Sequence, residues 1–538
     1  MRSRGVFLSA ALFSLTVLAA LSAPSCSSDE LAPRPVPPTP EQPTPPPPPL
    51  QVVNPILPGD FADPSVIRVG NEYWASATSS EWAPQYPLLK STDLLNWELV
   101  GHIFQNPPEW SEANYWAPEL AVDNGRYFVF YTAKKRGGPL CIAVATASQP
   151  QGPYTDHGPL VCQELGSIDG ALIRDENDKL FLVWKEDGNS RGLPTPFWAQ
   201  PLSEDGTRLE GEKTSILIND VPWEGQLIEG PHFIKRNGWF YMFYAGAGCC
   251  GRACNYGVGV ARSKNLLHGW EKHPLNPIMK NNETWKCPGH GSVVTDPQGR
   301  DYFLYHAYST KDSVYVGRQG VLDPVVWGED GWPAINQRRG VGGQLMPKAP
   351  ALVDEFSAAT LALGWVWPNW RKPTFSVADG MLTLAPPADR AEDVIGGVLA
   401  RATRSGDYTA ETILDLSGIA TGTVAGLSAY GDPENALGIA LKAGKLEVWR
   451  RQGNNHQVVT TVDAPEAPDK KLHLRMVGKS GYLFRFAVSS NGTDWTNVGD
   501  EVNGEYLPPW DRGIRVALTS GGIAGASARF DSLRITPE

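Results

Sequence analysis

The chain has 538 residues, enough for two or three domains with sizeable hydrophobic cores. Its formal net charge of -11 argues against nucleic acid or an anionic membrane surface as the main partner, since both carry negative charge. Aromatic residues are abundant, with 19 Trp, 17 Tyr and 17 Phe, and an uncharged ligand suits this composition best.

The N-terminus has the layout of a secretory signal peptide. Two arginines precede an apolar run over residues 6–21, which is too short and wrongly flanked for a membrane span. The Cys26 that follows resembles a bacterial lipoprotein cleavage site, where this cysteine becomes lipidated. We predict a signal peptide over residues 1–26 and an exported protein, lipid-anchored at the bacterial cell envelope. Ordinary export to the periplasm or the medium is the alternative.

A proline-rich segment over residues 27–53 follows the signal peptide. Such a composition favours extended polyproline II and builds no core. We predict that it is a semi-rigid linker.

Five segments of the next region repeat one layout, two apolar strands joined by a turn. The clearest copy covers residues 228–244, where Asn237-Gly238 forms the strongest short-range hairpin signal. The starting residues of the copies are Asp63, Ala117, Asp169, Glu229 and His290, so the copies recur every 52 to 61 residues. In the fourth copy the apolar pair lies one position later than in the others.

Two further extended segments follow each hairpin, with almost no helical periodicity. Four strands repeated five times predict a five-bladed β-propeller over residues 54–347. The alternative, an array of five separate sandwich modules, needs longer repeats. From residue 352 to 538 alternating strands without this period predict an antiparallel β-sandwich of jelly-roll type. The predicted fold class is therefore all-β.

Six cysteines lie beyond the signal peptide, and export permits disulfides between them. Structural bridges are favoured over thiol catalysis, because no histidine-paired cysteine stands out. Cys141 and Cys162 are candidates for a bridge between neighbouring strands, and Cys249, Cys250 and Cys254 for a vicinal or short-loop bridge. Cys287 is the sixth cysteine, and the sequence does not determine which of the six pair.

The starting residues of the repeats predict the chemistry. In a propeller they converge at one end of the central channel, so Asp63, Asp169 and Glu229 would meet there with His290. Like charges gathered in one place repel each other, so such a cluster indicates a functional site. Glycoside hydrolysis needs such a set, with one carboxylic acid to protonate the leaving oxygen and one carboxylate to activate water. Calcium binding by the same carboxylates is the competing interpretation.

Among the three carboxylates, Glu229 fits the general acid best, because its apolar neighbours and a nearby carboxylate would raise its pKa. Asp63 then becomes the general base. Asp169 lies between them in blade order and suits a role in orienting the acid and tuning its pKa.

The motifs around these positions resemble glycoside hydrolase family 43 over the entire propeller. They are Phe61-Ala62-Asp63-Pro64, Tyr115-Trp116-Ala117-Pro118-Glu119, Ser167-Ile168-Asp169-Gly170, Glu229-Gly230-Pro231 and Pro288-Gly289-His290-Gly291. The resemblance implies an inverting mechanism with the three carboxylate roles given above. It also implies a calcium ion in the channel near His290, sugar binding by Arg318 and stacking of Trp116 on a pentose. No organic cofactor is expected.

The C-terminal sandwich resembles the concanavalin-like domain of the family's β-xylosidases and α-L-arabinofuranosidases. This implies an exo-acting enzyme that releases terminal arabinose or xylose from plant hemicellulose or its oligosaccharides. The alternatives are an endo-acting arabinanase, a retaining five-bladed relative that acts on fructosides, and a non-catalytic glycan-binding propeller. A carbohydrate-binding role remains an alternative for the sandwich alone.

Overall fold

The computed structural model describes residues 48–453 and 455–538. The predicted signal peptide, its Cys26 and most of the proline-rich linker lie outside the described residues. Within the described ranges no helix is long and apolar enough to cross a membrane. The longest α-helix there is a single short turn, Ser313–Val316, and 3-10 turns cover Gly188–Arg191, Pro222–Glu224, Asn336–Arg338 and Ala388–Arg390.

Five four-stranded antiparallel sheets form the blades of a propeller, which confirms the predicted fold. Blade one consists of Ser65–Val69, Glu72–Ser76, Gln85–Ser91 and Glu98–Phe104, and blade two of Ser111–Asp123, Arg126–Lys135, Leu140–Ala147 and Thr155–Val161. Blade three consists of Ser167–Arg174, Leu180–Glu186, Phe197–Pro201 and Thr214–Leu217. Blade four consists of Ile228–Arg236, Trp239–Gly246, Gly257–Ser263 and Glu271–Lys272, and blade five of Trp285–Thr295, Asp301–Ser309, Gln319–Trp327 and Pro333–Ile335.

The first strand of each blade lines the channel. Each of these strands contacts the first strand of the next blade, and the strand of blade five contacts that of blade one, so the ring is closed. The short strand Val53–Asn54 pairs in parallel with Gln344–Leu345 and ties the two ends of the propeller together. The second strands are nearly continuous apolar runs because neighbouring blades cover both of their faces, as in Leu180–Glu186.

The sandwich packs two antiparallel sheets face to face around one large apolar core. One sheet contains Gly397–Ala402, Arg515–Gly521, Val424–Asp432, Asn435–Lys442, Lys445–Gln452 and Asn455–Asp463. The other contains Thr374–Ala378, Met381–Ala385, Ala528–Pro537, Tyr408–Asp415, Lys471–Lys479, Leu483–Ser489 and Thr496–Asn497, with Leu352–Asp354 and Val502–Asn503 at its side. A small ladder between Trp82–Ala83 and Trp367–Pro368 joins blade one to the sandwich.

Three disulfides connect the six described cysteines. Cys141 and Cys162 link the outer two strands of blade two, as the sequence suggested. Adjacent Cys249 and Cys250 form a vicinal bridge in the loop after the second strand of blade four. Cys254, in the same loop, bonds to Cys287 in the first strand of blade five. All six cysteines are therefore used in bridges.

Candidate active site

A ring of residues with left-handed backbone conformation surrounds one end of the channel. Near their starts, the inner strands of blades two to five are interrupted by irregularities of the bulge type. One residue at each irregularity has a positive φ, with 41° at Ala117, 58° at Asp169, 62° at Gly230 and 41° at His290. Asp63, just before the first strand of blade one, has a φ of 51°. A bulge redirects the side chains next to it, which explains how one strand position of each blade reaches the mouth.

The predicted alignment of blade four is wrong by one residue. Gly230, and not Glu229, occupies the position of Asp169 and His290. A β-carbon on Gly230 would lie 2.7 Å from Cγ of His290, so the imidazole packs directly on this glycine. The carboxylate of blade four comes instead from the residue before. The sequence held the signal, since the apolar pair of blade four follows Gly230 at the spacing of the other copies.

Asp63 is buried and held by three polar side chains. Arg318 Nη1 donates to its Oδ1 at 2.9 Å, and the Thr78 hydroxyl donates to its Oδ2 at 2.7 Å. Its backbone N–H donates to Nδ1 of His306 at 3.0 Å. Burial alone would raise the pKa of Asp63, but the Arg318 guanidinium and the imidazoles of His306 and His290 outweigh it and hold the pKa below its usual range. Asp63 is therefore ionised, as a base has to be.

Asp169 has the opposite tendency. Its Oδ2 accepts the backbone N–H of Gly230 at 2.8 Å, and its own N–H donates to the Thr132 hydroxyl at 3.2 Å. Burial, together with the charges of Glu229 and Asp63, raises its pKa to about 6, although the His290 charge opposes this rise. Asp169 is thus the carboxyl of the ring that holds a proton most readily.

Glu229 is paired with a buried ammonium. Lys185 Nζ lies 2.7 Å from its Oε2, and the Tyr256 hydroxyl donates to its Oε1 at 2.8 Å. Burial raises the pKa of Glu229, but the charge and hydrogen bond of Lys185, with the hydroxyl of Tyr256, lower it overall. The predicted rise in its pKa is therefore wrong for the free protein, because no pattern in the sequence connects Lys185 with Glu229.

Lys185 itself is only 1% exposed in its side chain, and it also pairs with Asp187 at 2.8 Å. Burial lowers the pKa of Lys185, but the carboxylates of Glu229 and Asp187 raise it above its ordinary value, so the ammonium stays charged. A buried charge of this kind persists only when it is paired.

His290 lies among the carboxylates. Its Nδ1 is 3.6 Å from Oδ1 of Asp63 and 4.0 Å from Oδ2 of Asp169. Burial lowers the pKa of His290, but Asp169, Asp63 and Glu229 raise it overall, which favours the imidazolium. Over residues 48–453 and 455–538 no group of three or more His, Cys, Asp or Glu side chains is arranged to hold a metal ion. The calcium expectation stays a prediction, and no step below depends on it.

A loop of the sandwich contacts both predicted sugar-binding residues. Asp511 accepts from Arg318 through its carbonyl at 3.0 Å and from Trp116 Nε1 through its carboxylate at 3.3 Å. The neighbouring Trp510 ring meets the Trp116 ring edge to face, with 5.8 Å between ring centroids. Arg318 is hydrogen-bonded both to this loop and to Asp63. Trp116 lies at the boundary between the propeller and the sandwich. Their roles in binding sugar stay predictions.

The sequence reasoning missed a second layer of polar residues. Thr132, Lys185 and His306 lie on second strands, each opposite the inner-strand residue that precedes the left-handed position. These strands are otherwise apolar, so a polar residue at this register was the available signal. Tyr256 and Asp511 lie outside this register, and the sequence offers no pattern for them.

Two family models match the chain. Residues 52–333 match glycosyl hydrolases family 43, and residues 353–535 match the beta xylosidase C-terminal concanavalin A-like domain. The chain belongs to glycosyl hydrolases family 43. It is a glycoside hydrolase, and the ring of carboxylates lies at the propeller mouth of this family 43 enzyme.

Two related proteins and one solved structure resemble this chain over more than half of its length. Xylosidase/arabinosidase 43B of Humicola insolens is 29% identical over an alignment that covers 89% of this chain and 97% of the relative. Non-reducing end alpha-L-arabinofuranosidase BoGH43B of Bacteroides ovatus is 28% identical over 58% of this chain and 60% of that protein. The crystal structure of the GH43 BlXynB protein from Bacillus licheniformis superimposes with a TM-score of 0.78 at 25% identity, covering 90% of this chain and 100% of that one.

Proposed function

We propose that this family 43 enzyme is an inverting, exo-acting glycoside hydrolase that releases terminal α-L-arabinofuranose or β-D-xylose from plant hemicellulose or its oligosaccharides. The observation that carries the proposal is the geometry of the ring, where three buried carboxyl groups, those of Asp63, Asp169 and Glu229, come together at one end of the channel. Nδ1 of His290 lies within 4.0 Å of both Asp63 and Asp169, and Asp169 accepts the backbone N–H next to Glu229. Glycoside hydrolysis by inversion requires such a set, with one carboxylate to activate water and one carboxylic acid to protonate the leaving oxygen.

In the proposed reaction, Asp63 takes a proton from a water molecule as the water oxygen bonds to the anomeric carbon. The bond from that carbon to the leaving oxygen breaks, and Glu229 gives its proton to the leaving oxygen. Solvent then removes the proton from Asp63 and returns one to Glu229. Attack on the face opposite to the leaving group inverts the anomeric configuration.

The roles of the neighbouring groups follow from their contacts. Arg318 and Thr78 orient the carboxylate of Asp63 from two sides. Asp169 binds the backbone N–H of Gly230 next to Glu229, so it positions the acid and keeps a proton nearby. Lys185 sets how acidic the solution has to be before Glu229 carries its proton.

The proposed sugars come from the names of the relatives, which are xylosidases and arabinosidases. The two are distinguished by rates on p-nitrophenyl β-D-xyloside and p-nitrophenyl α-L-arabinofuranoside. Chromatography of the products from xylan and arabinan oligosaccharides tests the mode of action. Single pentoses from the first minutes support the exo mode, and long oligomers formed first contradict it.

Asp63→Asn and Glu229→Gln should each abolish most of this activity. A matched control is Asp175→Asn, a buried carboxylate that accepts backbone N–H groups in the hairpin turn of blade three. Asparagine keeps that acceptor, so this variant should keep the wild-type rate. Loss of activity in the control but not in Asp63→Asn would contradict the site assignment.

Export and lipid anchoring at Cys26 are part of the same proposal and rest on the N-terminal sequence alone. Expression of the full-length chain in a bacterium, followed by membrane fractionation, tests them. The wild type should be in the envelope fraction and Cys26→Ala should be released or remain unprocessed. A Cys26→Ala protein that matches the wild type both in fractionation and in mobility on a denaturing gel would contradict the anchor.

A further inference from the structure

A cavity of about 250 Å³ lies between blade one and the sandwich. Since a water molecule occupies about 30 Å³ in the liquid, this volume suits a small molecule and not a polymer. The propeller contributes Asp60, Trp82 and His102 to its wall, and the sandwich contributes Arg401, Arg404 and Arg515. Neither Glu229 nor Asp169 lines it.

The charges in this wall are not balanced. Three arginines face one carboxylate, and none of the three has an ion pair within 4.0 Å in the described part of the chain. Asp60 is already engaged, because its two oxygens accept the backbone N–H groups of Arg318 and Gly513, each at 3.1 Å. Positive charges held close together repel each other, so a compensating anion would stabilise the folded protein.

The arginines use little of their hydrogen-bonding capacity. Arg401 donates to the Leu363 carbonyl at 2.8 Å and Arg404 to the Pro350 carbonyl at 3.3 Å. The side chain of Arg515 makes no hydrogen bond among the described residues, and its buried Nε lacks a partner there. Its guanidinium lies over the Trp82 ring, 4.8 Å from the centroid, which holds it in place without neutralising it.

Neutral groups add to the same wall. Nε1 of Trp82 and Nδ1 of His102 are buried and have no hydrogen-bond partner within residues 48–453 and 455–538. Burial lowers the pKa of His102 to about 4, so its ring is neutral near pH 7. Guanidinium groups that line a small cavity are suited to a carboxylate or phosphate oxygen.

We propose that this interdomain cavity is a binding site for a small oxyanion, held by Arg515, Arg401 and Arg404. The shared chemistry is a carboxylate, as in a free sugar acid, or an inorganic phosphate. The anion would neutralise the excess positive charge of the guanidinium groups. It would bind the propeller and the sandwich to each other.

An anion bound in the cavity would also affect the ring of carboxylates. Asp60, in the cavity wall, accepts the backbone N–H of Arg318, whose guanidinium holds Asp63. Thr78 also lines the cavity and donates to the other oxygen of Asp63. Two residues, Arg318 and Thr78, therefore connect the cavity wall to Asp63, the proposed base.

The test is thermal unfolding of the purified chain at constant ionic strength, titrated with sodium glucuronate, sodium phosphate or sodium chloride. We expect glucuronate or phosphate to raise the Tm by roughly 2–4 °C with a saturating dose response, and chloride to leave it unchanged. The oxyanion with the lower midpoint concentration identifies the source. The absence of a saturable shift with either oxyanion would overturn the proposal.

Variants locate the binding. Arg515→Gln should lose the anion-dependent rise while keeping or increasing the Tm in anion-free buffer, because one of three mutually repelling charges is removed. Arg404→Gln, which is partly exposed, provides the same test if Arg515→Gln does not fold. Arg485→Gln, an exposed arginine of the sandwich paired with Glu501, is the control and should keep the full rise. An undiminished rise in both cavity variants would contradict the site.

Discussion

Lys185 Nζ lies 2.7 Å from Glu229 Oε2, so the carboxyl group that we propose as the proton donor is paired with a buried ammonium in the free protein. This contact opposes protonation of the acid. In the proposed mechanism Glu229 has to carry a proton, although the charge of Lys185 lowers its pKa. The pH at which this proton is lost sets the alkaline limit of activity.

Replacing Lys185 with Gln should move the alkaline limb of the kcat/KM profile to higher pH. The lysine charge lowers the pKa of Glu229, so its removal raises that pKa, while the acid limb that reports Asp63 stays in place. The measurement is the pH dependence of kcat/KM for both proteins. Lys179→Gln, an exposed lysine in the same blade, should leave both limbs unchanged. A downward shift of the alkaline limb in Lys185→Gln would contradict this electrostatic role.

Asp63→Asn should reduce kcat by about 10²–10⁴-fold, the range expected for the loss of a general base. Asparagine keeps the size of the side chain but cannot accept the proton of water. Steady-state kinetics with far-UV circular dichroism as a folding check measure the effect. A variant that is folded and retains more than a tenth of the wild-type kcat would be inconsistent with Asp63 as the base.

Asp169→Asn should make the protein more stable above pH 6 and less active. The pKa of Asp169 is raised to about 6 in the folded state, so the folded protein holds this proton when the unfolded chain has lost it. Its contribution is fully present below the unfolded pKa and is lost as pH rises through about 6, by on the order of 1–3 kcal/mol. Tm values at pH 5 and pH 8 test this. The gain in Tm of the variant over the wild type should be larger at pH 8 than at pH 5, and an equal or smaller gain at pH 8 would contradict the raised pKa.

Gly230→Ala should lower activity by more than tenfold and destabilise the protein. Its φ of 62° disfavours a side chain, and the new methyl group would lie 2.7 Å from Cγ of His290. Gly238→Ala in the hairpin turn of the same blade has a φ of 76° but no atom within 4 Å of the new carbon. It should lose only about 1 kcal/mol of stability and keep its kcat. Equal effects of the two substitutions would show that the contact with His290 is unimportant.

Much of this site could be predicted from the sequence, because repeats report which positions of a propeller are equivalent. Asp63, Asp169 and His290 follow from that equivalence alone. The one-residue shift at Gly230 was visible in the spacing but has no meaning until the bulge is seen. Lys185 could not be assigned to Glu229, because a contact between blades depends on how the sheets pack.

The contribution of the sandwich was beyond sequence reasoning. Asp511 lies 193 residues from Arg318 in the chain, and no local pattern connects the two. The cavity arginines were also missed, because in the sequence they look like ordinary solvated charges. Pairing of sandwich strands brings Arg401 and Arg515 together, and the packing of blade one on the sandwich closes the cavity beside them.

The central claim is that Asp63 acts on water and not on the sugar. The most direct measurement is proton NMR of the sugar released in the first minutes from a pentoside of known configuration, before mutarotation. We predict that the first-formed anomer has the opposite configuration to the substrate. A first product of retained configuration would make Asp63 a nucleophile and contradict its role as the general base.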